Sequence, residues 1–371
     1  MNNLKLVSLQ IDDTKIHFKD GQNYIIGHSN SGKTTIFNCI KYVLGLTNSI
    51  VHKHIRQIEL VACINENDFA FRREAESVHL LVSHKGGDHK FRARSKELNA
   101  FLIEILSPNY VYESNTESIL TLLDFCFLSE ERSINRRQQW DAINSICGIN
   151  KSLLVSVEKD IHALKNEVSK NKDFETIIDN FAESLLKNIA KNTNVKNPDE
   201  IIEATKERFF DEFKEKEDLL LNSTLKFEKI KELSEHELKS RMLEIEKVFY
   251  NINHYAGFED PLFDNLEIFI KDRSKSMTYI EETFSRFLLI LAVSQVAQEA
   301  PYNFPSLIIN DSYLSFELNN KAYRTTPSIL DNLMPTSKGL QYIEFTHKDD
   351  IPKEHVVLNL NTQGGLHDFG S

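Results

Sequence analysis

Long apolar runs are missing from this chain of 371 residues. None approaches the ~18 residues of a membrane-spanning helix, so the chain reads as having no membrane partner. The N-terminus, MNNLKLVSLQIDD, lacks a basic stretch followed by an apolar one and does not read as a secretory signal. Cysteine is sparse. Cys39, Cys63, Cys126 and Cys147 are scattered with no C-x-x-C pair, which speaks against zinc and disulfide frameworks. Cys39 and Cys126 sit in apolar periodic segments and read as reduced core residues. A cytoplasmic protein is expected. Clustered D/E-x-K sets and His/Cys metal clusters are also lacking, so the chain carries no nuclease motif of its own. Positive charge is in deficit. The net charge of −11 argues against generic coating of nucleic acid but leaves room for a local site. Lys85, His89, Lys90, Arg92, Arg94 and Lys96 crowd one segment, and Arg132, Arg136 and Arg137 another. Each reads either as solvated loop charge or as a patch facing DNA or phosphate.

What is present is concentrated early. Gly27-His28-Ser29-Asn30-Ser31-Gly32-Lys33-Thr34 fits G-x-x-x-x-G-K-[ST]. Asn23 to Ile26 reads as an apolar strand before it. Thr35 to Leu44 reads as a helix after it, with Ile36, Phe37, Ile40, Val43 and Leu44 on the buried side. A strand, a glycine-rich loop and a helix N-terminus point backbone N–H groups at one target, a triphosphate. Gly27 and Gly32 let the backbone bend without a Cβ in the way. Lys33 is placed to reach the β- and γ-phosphates and Thr34 to bind Mg²⁺, with Asn30, Ser31 and Thr35 completing the nucleotide-binding set.

Length and a hydrophobic fraction of 41% suit two or three domains with a real core. Residues 1–150 read as strand-rich: Leu4–Leu9, Lys15–Phe18, and a meander of Ile58–Ile64, Asp68–Arg73 and His79–Ser83, with Gly86-Gly87 at a turn. Ser95–Leu106 and Ser118–Phe127 read as helices. Residues 151–254 change character and are dense in Lys and Glu. Leu154, Val157, Ile161, Leu164 and Val168 step as a heptad, as do Leu238, Met242, Ile245, Phe249 and Ile252. The polar break Lys191–Asp199 lies between them. The segment reads as an antiparallel hairpin, either a protruding arm or a compact helical insertion. Residues 255–371 return to α/β character, with a helix over Tyr279–Ala300 and strands at Ser306–Asn310, Gln341–Phe345 and Val356–Leu360.

A phosphate loop needs a carboxylate to hold Mg²⁺, usually at the end of a second buried strand. Leu307-Ile308-Ile309-Asn310-Asp311 supplies one. Thr346-His347, at the end of a later strand, offers a histidine to sense the γ-phosphate.

In this order the chain resembles the ABC-type ATPase heads of the SMC superfamily, which includes RecF and RecN. The segments YIIGHSNSGKTTIFNCIKYVLG and LIINDSYLSF are similar to small SMC-like ATPases of bacterial anti-phage operons. The resemblance implies an α/β P-loop NTPase head with an inserted antiparallel helical hairpin or short coiled coil. It assigns Lys33 and Thr34 to the Walker A motif, Asp311 to the Walker B aspartate and His347 to the switch histidine. Leu122–Arg132 matches the turn where the family places a glutamine, and Ser129 and Glu130 stand there. Ser274–Met277 falls at the family's Ser-Gly-Gly signature, leaving Ser276 as the donor to a partner's nucleotide. Ser312 stands where the family has the Glu that activates water. The resemblance therefore implies a slow ATPase using ATP and Mg²⁺. Its heads would form a homodimer that senses or grips DNA and regulates a separate effector subunit, a nuclease among the candidates, in a defence complex. The alternatives are a DNA repair or recombination ATPase and a non-hydrolysing, nucleotide-bound scaffold that recruits partners through its hairpin.

Overall fold

The structure, a computed structural model, describes residues 4–48, 54–106, 118–129, 157–170, 198–255, 287–296, 306–311, 330–331, 339–347 and 351–361. The chain divides into two compact units, one of residues 1–149 with 238–371 and one of residues 150–237.

Among the described residues, the first unit holds two sheets. One is antiparallel and six-stranded, in the order β2-β1-β4-β5-β6-β7. Its strands are β1 (Leu4–Ile11), β2 (Thr14–His17), β4 (Gln57–Ile64), β5 (Asn67–Glu74), β6 (His79–His84) and β7 (Gly87–Arg92). Side chains alternate along it: Ile58, Leu60, Ala62 and Ile64 of β4 are buried, while the residues between them are more open. This is the period-two pattern of a sheet with one covered face. β7 lies over part of the basic segment, so the reading of Lys90 and Arg92 as loop charge is corrected: both stand exposed on an edge strand. Charged edges of this kind discourage pairing with other chains.

The other sheet is parallel, in the order β11-β3-β10-β9-β8. It comprises β3 (Gln22–Ile26), β8 (Phe127–Leu128), β9 (Leu307–Asp311), β10 (Gln341–Thr346) and β11 (Val356–Asn359). Every residue of β3, β9 and β10 is buried, as expected for a parallel sheet covered on both faces. Helix α1 (Lys33–Val43) packs on one face through Phe37, whose ring meets Phe127 at 5.5 Å and Phe345 at 5.9 Å edge-on. Helix α2 spans Lys96–Leu106, and α3 spans Ser118–Phe125. The helix expected to run on to Phe127 stops at Phe125, because Phe127 and Leu128 pair with Ile309 and Asn310 instead.

Gln341 joins the two sheets. Its side chain accepts from the Leu6 N–H at 2.8 Å and donates to the Leu6 carbonyl at 2.9 Å, at the irregularity where β1 shifts register between Leu6 and Ser8. A buried amide thus satisfies both backbone groups of Leu6 beside this irregularity.

A helix runs from Pro198 to Tyr255. Its C-terminal part contributes Ile245, Phe249 and Ile252 to the core of the first unit. In the second unit, residues 157–170 are helical with Ile161 and Val168 buried, matching two heptad positions. Lys216 Nζ lies 3.7 Å from Glu167 in the same unit. Of the polar break expected at Lys191–Asp199, 191–197 lie outside the described residues, and Pro198 and Asp199 already begin the helix. Of the helix expected over Tyr279–Ala300, 287–296 is helical and the rest lies outside the described residues.

Candidate functional site

The site forms where the parallel strands end. Strand register sets Thr346 beside Ile26, Asp311 beside Phe345, and Leu128 beside Asn310. The next residues out are Gly27, His347 and Ser129. Loops at the carboxyl ends of parallel strands are where open α/β sheets bind ligands. Strand pairing therefore gathers groups more than three hundred residues apart in sequence.

The loop itself is tight. The Gly27 N–H donates to the Thr346 carbonyl at 3.1 Å, and the Ser31 N–H to the His28 carbonyl at 3.2 Å. Asn30 (φ 61°) and Gly32 (φ 95°) both adopt left-handed backbone. Gly32 does so without strain, and Asn is among the side chains that tolerate it best. Turns of this kind aim successive N–H groups into one concavity, and α1 begins immediately after at Lys33. A Cβ on Gly27 would stand 2.2 Å from Ser31 Oγ and 3.1 Å from Leu360 Cβ, so only glycine fits. Ser31 Oγ is buried and has no hydrogen-bond partner among the described residues. A buried hydroxyl of that kind calls for an acceptor such as a phosphate oxygen.

Lys33 is buried and donates from Nζ to the carbonyls of Gly27 (2.6 Å) and His28 (2.7 Å). Burial pushes its pKa down to about 8, and the Asp311 carboxylate pulls the other way. Asp311 is itself buried. His347 Nδ1 lies 3.3 Å from Lys33 Nζ. An ammonium can only donate, so a bond at this contact has Nδ1 as its acceptor. The His347 pKa is lowered, first by burial and then by the Lys33 cation, with the Gly27 backbone opposing. The imidazole is accordingly held neutral beside a charged lysine.

Of the residues expected at the site, Gly27, Asn30, Ser31, Gly32, Lys33, Thr34 and Thr35 form one loop and helix start, and Asp311 and His347 stand over it. Thr34 is exposed at the first turn of α1. Glu130 and Ser276 lie outside the described residues, as does Ser312. One contributor carries no local sequence signal: Asn361 accepts the His28 N–H on Oδ1 at 2.8 Å. Among the described residues no group of three or more His, Cys, Asp or Glu side chains is placed to hold a metal ion. A phosphate-bound Mg²⁺ needs only one or two protein ligands, and the Thr34 hydroxyl and Asp311 carboxylate are donors of the right kind.

A parallel sheet whose strand ends gather a glycine-rich loop, a lysine, an aspartate and a histidine defines a P-loop ATPase α/β fold. The family described as AAA domain matches residues 1–255, and the chain belongs to it. Among solved structures it is similar to an Smc head domain with an extended coiled coil, bound to the C-terminal domain of ScpA, from Pyrococcus furiosus. That match has 14% identity and a TM-score of 0.57, and covers 94% of this chain and 90% of that one. It is also similar to an Smc head domain with a coiled coil and joint from Pyrococcus yayanosii (13% identity, TM-score 0.54), covering 94% and 93% of the two chains. These likenesses show the fold. No curated protein matches the chain. No helix among the described residues is long and apolar enough to cross a membrane.

Proposed function

We propose that this SMC-like protein binds MgATP at Gly27–Thr34 and uses it to bring two heads together, with slow hydrolysis. The observation that carries the reading is the convergence of Asp311, His347 and the loop leading to Lys33 at the ends of three adjacent parallel strands. Lys33, Ser31 and the loop N–H groups would take the phosphates. Thr34 and Asp311 would hold Mg²⁺, which neutralises phosphate charge when bound. His347, kept neutral with Nδ1 facing Lys33, can donate from Nε2–H to an arriving phosphate oxygen without adding a second cation beside Lys33. Glu130 or Ser129 would orient water, and Ser276 would reach the partner's nucleotide across a head dimer.

Slow turnover follows from Ser312, which follows Asp311 and has no basicity at neutral pH. The wider reading is a bacterial anti-phage complex in which the head dimer senses or grips DNA and controls a separate effector. Residues 151–254 would act as a helical hairpin. The Pyrococcus furiosus head is bound to the C-terminal domain of ScpA, which supports the expectation that a second polypeptide docks on this chain as well.

Two assays test the nucleotide reading together. A fluorescent ATP analogue should bind in a Mg²⁺-dependent manner, and released phosphate should report a turnover well below one per second. Turnover of many per second, abolished by Lys33→Ala, would overturn the slow-hydrolysis part. No binding would overturn the whole.

A further inference from the structure

Nothing in the glycine-rich pattern points to the C-terminal end of the chain, yet that end closes one side of the loop. β11 runs parallel to β3, with Asn359 opposite Ile26. The Leu360 N–H continues the pairing by donating to the Ile26 carbonyl at 2.8 Å. Leu360 Cβ would meet a Cβ on Gly27 at 3.1 Å, so the first loop residue is boxed between Ser31 and Leu360. Asn359 Oδ1 accepts the Asn361 N–H at 3.0 Å, and Asn361 Oδ1 accepts the His28 N–H at 2.8 Å. The carbonyl of that same His28 holds Lys33 Nζ. A continuous chain of hydrogen bonds thus runs from β11 through the second loop residue to the phosphate-seeking lysine.

We propose that Asn361 is a positioning residue for the nucleotide site, latching the His28 peptide so that the loop and Lys33 stay set for a triphosphate. This rests on the reading of Gly27–Thr34 as that site. The residue type fits the task. Asn and Asp can both accept an N–H at this distance, but only Asn does so without a negative charge beside a loop built for an anion. Asn361 is also exposed, so its replacement leaves the core untouched.

The test pairs Asn361→Ala with Asn361→Asp. Hydrogen exchange of the peptide containing His28 is measured without nucleotide, and the affinity for a fluorescent ATP analogue is measured at low and high salt. Asn361→Ala should speed exchange at His28 and weaken the analogue about three- to tenfold, the worth of one backbone hydrogen bond. Asn361→Asp should keep the amide protected yet weaken binding, and added salt should narrow its deficit against wild type. Unchanged exchange in Asn361→Ala would overturn the latch whether or not nucleotide binds. Faster exchange with affinity within twofold of wild type would overturn its role at the site. If wild type itself binds no analogue, the nucleotide reading fails, while the exchange result still decides whether the latch exists.

Discussion

Lys33 is held as a buried cation by two carbonyls, and its pKa of about 8 makes it the titrating group of the site. A lysine below its ordinary value is charged in the free protein up to about pH 8 and neutral above it. Phosphate needs the ammonium. ATP affinity is therefore expected to fall about twofold between pH 7 and 8 and then by up to about tenfold per pH unit, in binding titrations. The same shift gives a sign for folding. The folded protein sheds this proton at lower pH than the unfolded chain, so stability attributable to Lys33 rises between about 8 and the ordinary lysine value. Lys33→Ala should abolish nucleotide binding, reading as a loss of about hundredfold or more in affinity. It should also abolish the thermal shift that MgATP gives wild type. At Gly27 the fault would be steric instead. Gly27→Ala drives a methyl into Ser31 Oγ and should cost about 1–3 kcal/mol in denaturant unfolding, with nucleotide binding lost as the loop is displaced.

At the scale of elements, α1 is anchored at its far end as firmly as at the loop. Arg73 of β5 is buried, lies 3.6 Å from the centre of the Tyr42 ring, and donates to the carbonyls of Tyr42 (2.7 Å), Thr47 (2.8 Å) and Ser77 (2.9 Å). A guanidinium at the C-terminal end of a helix meets both its open carbonyls and its dipole. Arg73→Met should destabilise by about 2–4 kcal/mol in urea unfolding, and Arg73→Lys should recover little, because an ammonium cannot reproduce the planar fork. In the same last turn of α1, Lys41 Nζ lies 2.8 Å from the Asp124 carboxylate of α3. The helix that presents Lys33 is thus tied to both its neighbours.

The elements were legible in the sequence to different degrees, for physical reasons. β3, the loop and α1 are local patterns, β9 is an apolar run ending in Asp311, and β10 reads as a strand running into Thr346-His347, so the chain alone places both residues at strand ends. β7 was not legible, because alternation of charged residues with His89 and Phe91 resembles a polar loop until β6 pairs with it. The two residues of β8 were hidden inside an apolar helix pattern and are strand only because β9 lies alongside. Arg73, Gln341 and Asn361 find their partners through tertiary contact, which no local spacing records.

For the whole molecule, the first unit carries the candidate site, and the second carries helical segments in which Ile161 and Val168 are buried. If the heads act in pairs, nucleotide must change the association state, and it must do so through Lys33. Sedimentation velocity of the wild-type chain and of Lys33→Ala, each with and without MgATP, tests this most directly. Wild type should shift from monomer to dimer with MgATP alone, and Lys33→Ala should stay monomeric under every condition. A wild-type chain that stays monomeric at saturating MgATP, or a dimer that forms equally well in Lys33→Ala, would contradict nucleotide-driven pairing through Lys33.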